Sequence, residues 1–512
     1  MDPARHDRRA AGLAALAGVL AGALALGLAA VLAALVAPTS APVLAVGSAF
    51  IDLTPAWLKD LAIDLFGTND KAALLVGIGA VITVLAAVAG VLSLRRRLLG
   101  SGLVVLLGLV AALAAADRPD AGKLAVVPSL VGVAAGAVAL KAMVDRVGDT
   151  AARPESGADR RAFLTAAAAT AGLAALTGAG GRLLGRATRD VEASREAVRL
   201  PQADPPLPDP INDVMADVEG MPPWQTPNPD FYRIDTALRV PRISTDDWRL
   251  RVHGMVEQEV EITFDDLLAG EMVEQWVTLA CVSNEVGGEL AGNARWLGCP
   301  LSTLLDRAGP LPGADMVLST SDDGFTASTP LQALTDDRGS MLAIAMNGEP
   351  LPLEHGFPVR MVVPGLYGYV SATKWVVDLE VTSFAEQTAY WTDRGWDERG
   401  PIKIASRIDV PRPLAAREAG PVAVAGTAWA PRRGIDAVEV RVDDGAWEPA
   451  TLAAEADIDA WRQWSFVWSA GPGRHTVTVR ATDGDGEVQT SDVASPFPDG
   501  ASGWHSIEVD VE

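Results

Sequence analysis

The sequence predicts a three-part chain: an N-terminal region of five membrane helices, an α+β domain, and a C-terminal all-β domain built as an immunoglobulin-like sandwich. Three observations carry this. Residues 1–185 are mostly Ala, Leu, Val and Gly and hold five uncharged apolar runs; from about Met221 short β-favouring runs mix with brief helical segments; from about Ile402 helical periodicity almost disappears. The 49% apolar content over 512 residues is therefore an average of unlike parts, and all but Trp57 of the 14 Trp lie beyond residue 200.

The five runs are Ala11 to Val36, Ala72 to Leu94, Leu98 to Ala116, Leu124 to Leu140 and Ala162 to Gly181. A bilayer core needs roughly 20 apolar residues per helix, so each is long enough to cross it. Arg5, Arg8 and Arg9 precede the first run, Arg95, Arg96 and Arg97 join the second to the third, and Lys141, Arg146, Arg153, Arg160 and Arg161 lie between the fourth and fifth. The positive-inside rule then places the N-terminus in the cytoplasm and everything after the fifth helix outside, on a multi-pass protein of the cell membrane. The fifth helix, about 161–181, opens with "DRRAFLTAAAA", which resembles a twin-arginine export signal and implies an outer domain that crosses already folded. No run contains a histidine or an acid, so paired haem ligation and a proton path are not expected in the membrane part. An anchor, a docking surface or a quinone-facing scaffold remain. Thr54 to Gly67, with Pro55 at a first helical position, predicts a short amphipathic helix on the outer surface.

Residues 186–220 form the predicted linker: the charged stretch Arg186 to Arg199 prolongs the fifth helix, and "PQADPPLPDP", Pro201 to Pro210, is too proline-rich for a helix and is extended. The α+β domain covers 221–401, with strands expected in "LRVHGMV", "VEITFDDLL", "WVTLAC", "DMVLSTS", "MLAIAM", "FPVRMVVPG" and "KWVVDLEVTS". Residues 402–512 form the sandwich, from "PVAVAGTAWA", "AVEVRVDDGAWEPA", "WRQWSFVWSA" and "HTVTVRATDGDGEVQ", without the paired cysteines of antibody domains. A net charge of −23 makes the chain a poor nucleic-acid binder.

Only two cysteines are present. Cys281 ends "VTLAC" and is followed by Val282, Ser283, Asn284, Glu285 and the pair Gly287-Gly288. It is open to three readings: a small buried hydrophobe, half of a disulfide with Cys299 in an oxidising compartment, or a soft thiolate offered to a metal from a loop whose glycines admit close backbone approach. Cys299, before Pro300, reads as a structural residue at a strand entry.

"WVTLACVSNEVGG" with "ARWLGCPL", followed by "MNGEPLPLEHGFPVRMVVPGLYGYVSATKW", resembles the molybdopterin-dependent oxidoreductases of the sulfite oxidase type. "NPDFYRID" resembles the family's early pterin-contacting segment, and the sandwich from "SRIDVP" to "GASGWHSIEV" its C-terminal domain, so the resemblance covers roughly Pro222 to Glu512 and none of the membrane part. It implies a molybdenum-molybdopterin cofactor with one pterin per metal, and Cys281 as the catalytic residue and single protein ligand of the molybdenum. His355, Arg360 and Lys374 become the pterin-phosphate clamp, with Thr373 beside them, a role suited to charge-assisted donors. Gly365 and Gly368 let the backbone approach the pterin. Asn228, Phe231, Tyr232 and Arg233 line its other side, and Ser321 and Asp323 stand near the metal.

The chain also departs from the family. Sulfite oxidases proper follow the ligand Cys with a Gly-Asn-Arg-Arg type sequence, whereas Val282-Ser283-Asn284-Glu285 puts an acid where cations bind the oxyanion. No haem-attachment motif is present, so no haem is expected in this chain, and electrons must pass to or from a separate quinone, cytochrome or membrane haem subunit. The resemblance therefore implies a membrane-anchored enzyme performing two-electron redox or oxygen-atom transfer on a small substrate. The rival from another class is a non-catalytic surface protein that keeps the fold for binding or assembly.

Overall fold

The computed structural model describes residues 3–36, 38–54, 58, 65, 70–118, 122–152, 157–187, 191–208 and 218–512. They divide into two units, residues 1–190 with 237–239, and residues 191–236 with 240–512.

The first unit is helical: α1 (Pro3–Val36), α2 (Pro42–Leu53), α3 (Asp70–Arg95), α4 (Arg97–Ala116), α5 (Val127–Ala152) and α6 (Gly157–Ala187). Five of these carry segments long and apolar enough to cross a membrane, at Arg9–Val36, Lys71–Arg95, Leu98–Ala116, Val127–Val147 and Arg161–Gly181. The fourth lies further along than its expected Leu124 to Leu140, because the helix runs through Lys141 to a second apolar turn at Met143, Val144 and Val147, all buried. Helix α1 packs against α3, α5 and α6. Its crossing with α3 rests on reciprocal glycines: a Cβ on Gly18 would strike the Ala86 carbonyl, and one on Gly90 the Ala14 carbonyl. Small residues bring backbones this close where both neighbours are as apolar as lipid. The amphipathic helix expected over Thr54 to Gly67 falls almost wholly outside the described residues, as does the side chain of Arg160.

In the second unit the expected linker is divided. Helix α6 is described as far as Ala187, residues 188–190 lie outside the described residues, and helix α7 (Val191–Ala197) packs on the α+β domain. Val191 is fully buried beside Phe231, Trp296 and Leu351, and Arg195 donates to the carbonyls of Pro350 (2.7 Å) and Leu351 (2.8 Å). The described part of the proline-rich stretch has no regular secondary structure, as expected, and its Leu207 carbonyl accepts from Arg295.

The α+β domain contains β1 (Arg249–Gly254), β2 (Val260–Thr263), β3 (Val273–Ala280), β4 (Ala291–Pro300), β5 (Met316–Ser321), β6 (Thr326–Pro330), β7 (Met341–Met346), β8 (Glu349–Pro350), β9 (Arg360–Val362) and β10 (Val376–Thr382). One sheet has the order β2-β1-β10-β5-β6, the other β3-β4-β7-β8 with β9 paired to β7. Only β1 and β10 run parallel, and the remaining neighbours are antiparallel. "MLAIAM" is buried at every position of β7, as an uninterrupted apolar run requires of a central strand. Cys299 stands at the exit of β4, not a strand entry, because the whole of Ala291–Pro300 pairs with β3 or β7.

From Ala405 onward the chain forms two further sheets, β11 (Ala405–Val410), β13 (Gly420–Trp429), β17 (Arg462–Ala470) and β16 (Thr451–Leu452) in one, and β12 (Ala416–Arg417), β19 (His505–Val511), β18 (Gly473–Asp483), β14 (Ile435–Val442) and β15 (Glu448–Pro449) in the other. Both contribute to one core around Trp464, with Val424 from the first sheet and Val440, Val479 and Val509 from the second. This sheet-rich part is sewn to the α+β domain through β3: Thr278 N donates to the Asp459 carbonyl (2.9 Å) and Trp461 N to the Thr278 hydroxyl (2.7 Å). Trp224 and Trp461 each donate an indole N–H to the other's carbonyl, at 3.0 and 2.8 Å.

Candidate active site

The two sheets of the α+β domain deliver their ends to one cavity. Cys281 follows the last residue of β3, Ser321 closes β5, Arg360 opens β9 and Lys374 sits two residues before β10. The antiparallel pairing of β5 and β10 matches Ser321 with Val376, which explains how residues so distant in sequence share a rim.

The buried end is cationic. Arg360 is 5% exposed, and its guanidinium reaches only carbonyls, of His355 (3.2 Å), Ala372 (3.4 Å) and Met361 (3.4 Å), while lying 4.9 Å over the Trp296 ring. Among the described residues it has no carboxylate partner, and burial pushes its pKa down to about 10. A buried cation without an anion is costly, and a bound anion relieves that cost. Lys374 is largely but not fully buried beside it, donating to Asp235 (2.9 Å) and the Glu354 carbonyl (3.3 Å). Burial lowers its pKa to about 8, the Asp235 charge opposing the shift. His355 sits on the short helix Leu353–His355, and its Nε2 meets the Asn228 carbonyl at 3.0 Å. Burial, then the neighbouring Arg360 charge, pushes it down to about 4, so it is neutral near pH 7.

Cys281 is buried and holds its loop: its N–H donates to the Leu290 carbonyl (2.9 Å) and its carbonyl accepts from Asn284 N (3.1 Å). Burial raises the thiol's pKa, and hydrogen bonds from Ser283 pull the other way. Tyr232 is raised by burial, then by the Cys281 charge, so its phenol stays protonated and available as a donor beside the thiol. Phe231 stacks on Tyr232 (5.2 Å) and meets Trp296 and His355 edge-on. The Ser321 hydroxyl is buried with no hydrogen-bond partner, a donor and acceptor held for something else. Among the described residues no three His, Cys, Asp or Glu side chains gather around a possible metal. A metal at Cys281 would therefore draw its other ligands from a cofactor. An unpaired buried cation, an orphan hydroxyl and a lone buried thiol fit a phosphate-bearing cofactor that brings its own metal ligands.

Of the sequence-derived candidates, Phe231, Tyr232, Cys281, Ser321, Asp323, His355, Arg360, Gly368 and Lys374 line this cavity. Asn228, Arg233 and Thr373 are not among the lining residues. Asn228 orients His355 through its carbonyl, Arg233 pairs with Asp235 at 2.8 Å, and the Thr373 hydroxyl bonds Ser319 at 2.7 Å. Gly365 has another reason for being glycine: φ is +86°, and a Cβ would press on the Arg432 side chain at 2.7 Å. At Gly368 an added Cβ would meet nothing nearer than 3.7 Å, so the protein itself does not demand a glycine there. Both cysteines are free. Sequence reasoning missed Asp235, Phe325, Tyr369, Trp391 and Trp396, which also line the cavity. The run "YWTDRGW", two Trp within seven residues outside any strand, was the available signal.

Fold and site together define an α+β domain in which a single buried thiol shares one cavity with a cationic end. The model of the "Oxidoreductase molybdopterin binding domain" family matches residues 237–391, which include Cys281, His355, Arg360 and Lys374. The uncharacterized oxidoreductase YuiH of Bacillus subtilis is 33% identical over 153 residues, 30% of this chain and 74% of that protein. The mitochondrial sulfite oxidase of Macaca fascicularis is 30% identical over 340 residues, covering 56% of this chain and 62% of its own length. The human enzyme matches to the same extent, so the chain spans about three-fifths of the sulfite oxidases it resembles, 62% in each case. Among solved structures, the sulfane dehydrogenase SoxCD of Paracoccus pantotrophus shares the fold, with a TM-score of 0.51 at 23% identity over 62% of this chain and 91% of that one. The chain belongs to the sulfite oxidase-type molybdopterin-dependent oxidoreductases.

Proposed function

We propose that the protein is a membrane-anchored molybdenum-molybdopterin oxidoreductase whose active site faces the cell exterior. It catalyses a two-electron redox step or oxygen-atom transfer on a small substrate and exchanges electrons with a separate quinone, cytochrome or membrane haem subunit. The observation that carries the reading is Arg360, buried without a carboxylate in the same cavity as the lone buried thiol of Cys281. Arg360 and Lys374 would hold the pterin phosphate, Phe231 and Tyr232 would flank the pterin, and Cys281 would ligate the metal. The bound cofactor supplies the redox change; the chain supplies position, charge and exclusion of water. A neutral His355 donates or accepts one hydrogen bond without adding charge, and the protonated Tyr232 keeps a donor beside the sulfur.

The anchoring rests on the five apolar helices, and the outward orientation on the clustering of arginines at their cytoplasmic ends. Arg160-Arg161 before Phe163-Leu164 supports export of the domain in folded form, with the cofactor already inserted. The division at 221–401 and 402–512, the second part an immunoglobulin-like sandwich, agrees with two sheets closing on one core. The test is molybdenum and pterin analysis of the full chain purified from membranes: about one of each per chain is expected, and a chain holding neither refutes the reading.

A further inference from the structure

We infer that the cavity takes an uncharged organic substrate with an apolar flank and turns away small oxyanions such as sulfite. The inference rests on the cofactor reading above and deepens it.

Burial sorts the lining into two ends. The buried end holds Arg360, His355 and Cys281, with the half-buried Tyr232 beside them. The more open end holds Ile234, Ser283, Phe325, Trp391 and Trp396, and none of these is cationic. The lining carries two cations, Arg360 and Lys374, and two carboxylates, Asp235 and Asp323, with His355 neutral. Lys374 is already paired with Asp235 at 2.9 Å. A phosphate monoester brings close to two further negative charges at neutral pH and takes up Arg360. Asp235 also pairs at 2.8 Å with Arg233, which is outside the lining; with Arg233 counted the loaded cavity is still net negative, and no lining cation is left for a substrate. The nearby Arg394 is held over the Tyr390 ring at 3.6 Å and on its carbonyl at 2.6 Å, and it is not among the lining residues.

The open end offers polarisable surface instead. Trp391 contacts Tyr390 and Trp396 edge-on (5.1 and 6.3 Å), Phe497 backs Trp396 at 5.3 Å, and Tyr369 closes the other side of Trp396 at 6.1 Å. Rings braced this way present a rigid apolar wall, which favours a flat or aliphatic group and adds nothing for a small anion. A neutral sulfoxide or N-oxide bearing an organic substituent fits both ends: its dipole lies toward Tyr232 and Cys281, its substituent against the tryptophans.

The experiment uses the full-length holoenzyme, its molybdenum content measured first. Binding is read as quenching of tryptophan emission and turnover with a redox dye, for an aryl methyl sulfoxide, an aliphatic N-oxide and sulfite. Expected is binding of a neutral compound at least about tenfold tighter than sulfite, since unscreened like charge within the cavity exceeds that factor. Trp391→Ala and Trp396→Ala should raise KM for the neutral compound roughly tenfold with molybdenum content unchanged. Ser283→Arg should bring in sulfite binding. Sulfite bound or turned over as well as the neutral compounds overturns the inference, as does a KM unmoved by both tryptophan variants. A preparation without molybdenum refutes the cofactor reading itself, and the substrate inference with it.

Discussion

Arg360→Met separates a cofactor-binding cation from a structural one, because the two roles move stability in different directions. In the apoprotein the guanidinium stands in a buried site without an anion, and its pKa falls from 12.5 to about 10. That difference corresponds to about 3 kcal/mol of unfavourable charge burial. Methionine keeps most of the volume and removes the charge, at the loss of three carbonyl hydrogen bonds of 3.2 to 3.4 Å. Long bonds of this kind are worth at most about 1 kcal/mol each, so the two effects nearly cancel. The apoprotein variant should unfold at the wild-type temperature or a few degrees above it. With cofactor the balance reverses. Removing the cationic partner of a buried anion costs about 2–5 kcal/mol, or roughly thirty- to several-thousand-fold in retention. The assay pairs thermal unfolding of cofactor-free protein, read from tryptophan emission, with pterin and molybdenum content after purification and dialysis. Arg360→Lys should fall between, keeping the charge and losing the fork. A variant that retains full cofactor while its apoprotein melts well below wild type refutes the assignment and makes Arg360 a packing residue.

Three further outcomes follow from the same geometry. Gly287 has φ +79°, and a Cβ there would enter the His505 ring, so Gly287→Ala should cost about 1–3 kcal/mol and raise KM by moving the loop after Cys281; unchanged melting and KM would contradict this. Burial pushes both His355 and His505 down to about 4, so the unfolded chain binds protons that the folded chain refuses; stability present above about pH 6.5 is lost as pH falls toward 4, by up to about 3 kcal/mol per histidine. Asp459, pushed up to about 6 by burial, opposes this by taking its proton earlier in the folded state, so His505→Phe should leave the apoprotein's melting temperature nearly flat from pH 7 to 4.5, and wild type that is already flat would overturn the argument. In the helical unit, Gly90→Leu should separate α1 from α3 and lower the melting temperature in detergent more than Gly90→Ala does, and equal effects would show that the crossing is not close-packed.

The five long apolar helices were legible because a run able to span a bilayer must be apolar along its whole length, and only the fourth shifted, where Lys141 interrupts the composition but not the helix. The strands of the α+β domain and of the C-terminal sheets were legible for a similar reason: "MLAIAM" and "HTVTVRATD" carry their burial pattern locally. Cys281 could be singled out because a thiol in a polar loop is locally odd, whereas Arg360 and Lys374 stood out only through the family resemblance of the phrase that holds them. What sequence could not convey depends on distant partners. Thr373 is adjacent to Lys374, yet its hydroxyl serves Ser319 on β5. Gly287 is glycine because of a histidine contributed by β19. Val191 looked like linker because nothing nearby shows that it fills the core beside Trp296. The aromatic wall of Trp391 and Trp396 was missed because aromatic residues are more often core than binding surface, and only the fold brings these two to the cavity.

The central claim is that Cys281 holds the metal while Arg360 and Lys374 hold the cofactor's phosphate. Cys281→Ser in the full-length protein tests it most directly, with pterin, molybdenum and turnover measured on one preparation. The account predicts pterin near the wild-type level, since the phosphate clamp is untouched, together with reduced molybdenum and turnover lost to background. A Cys281→Ser protein with wild-type molybdenum and undiminished turnover would contradict it.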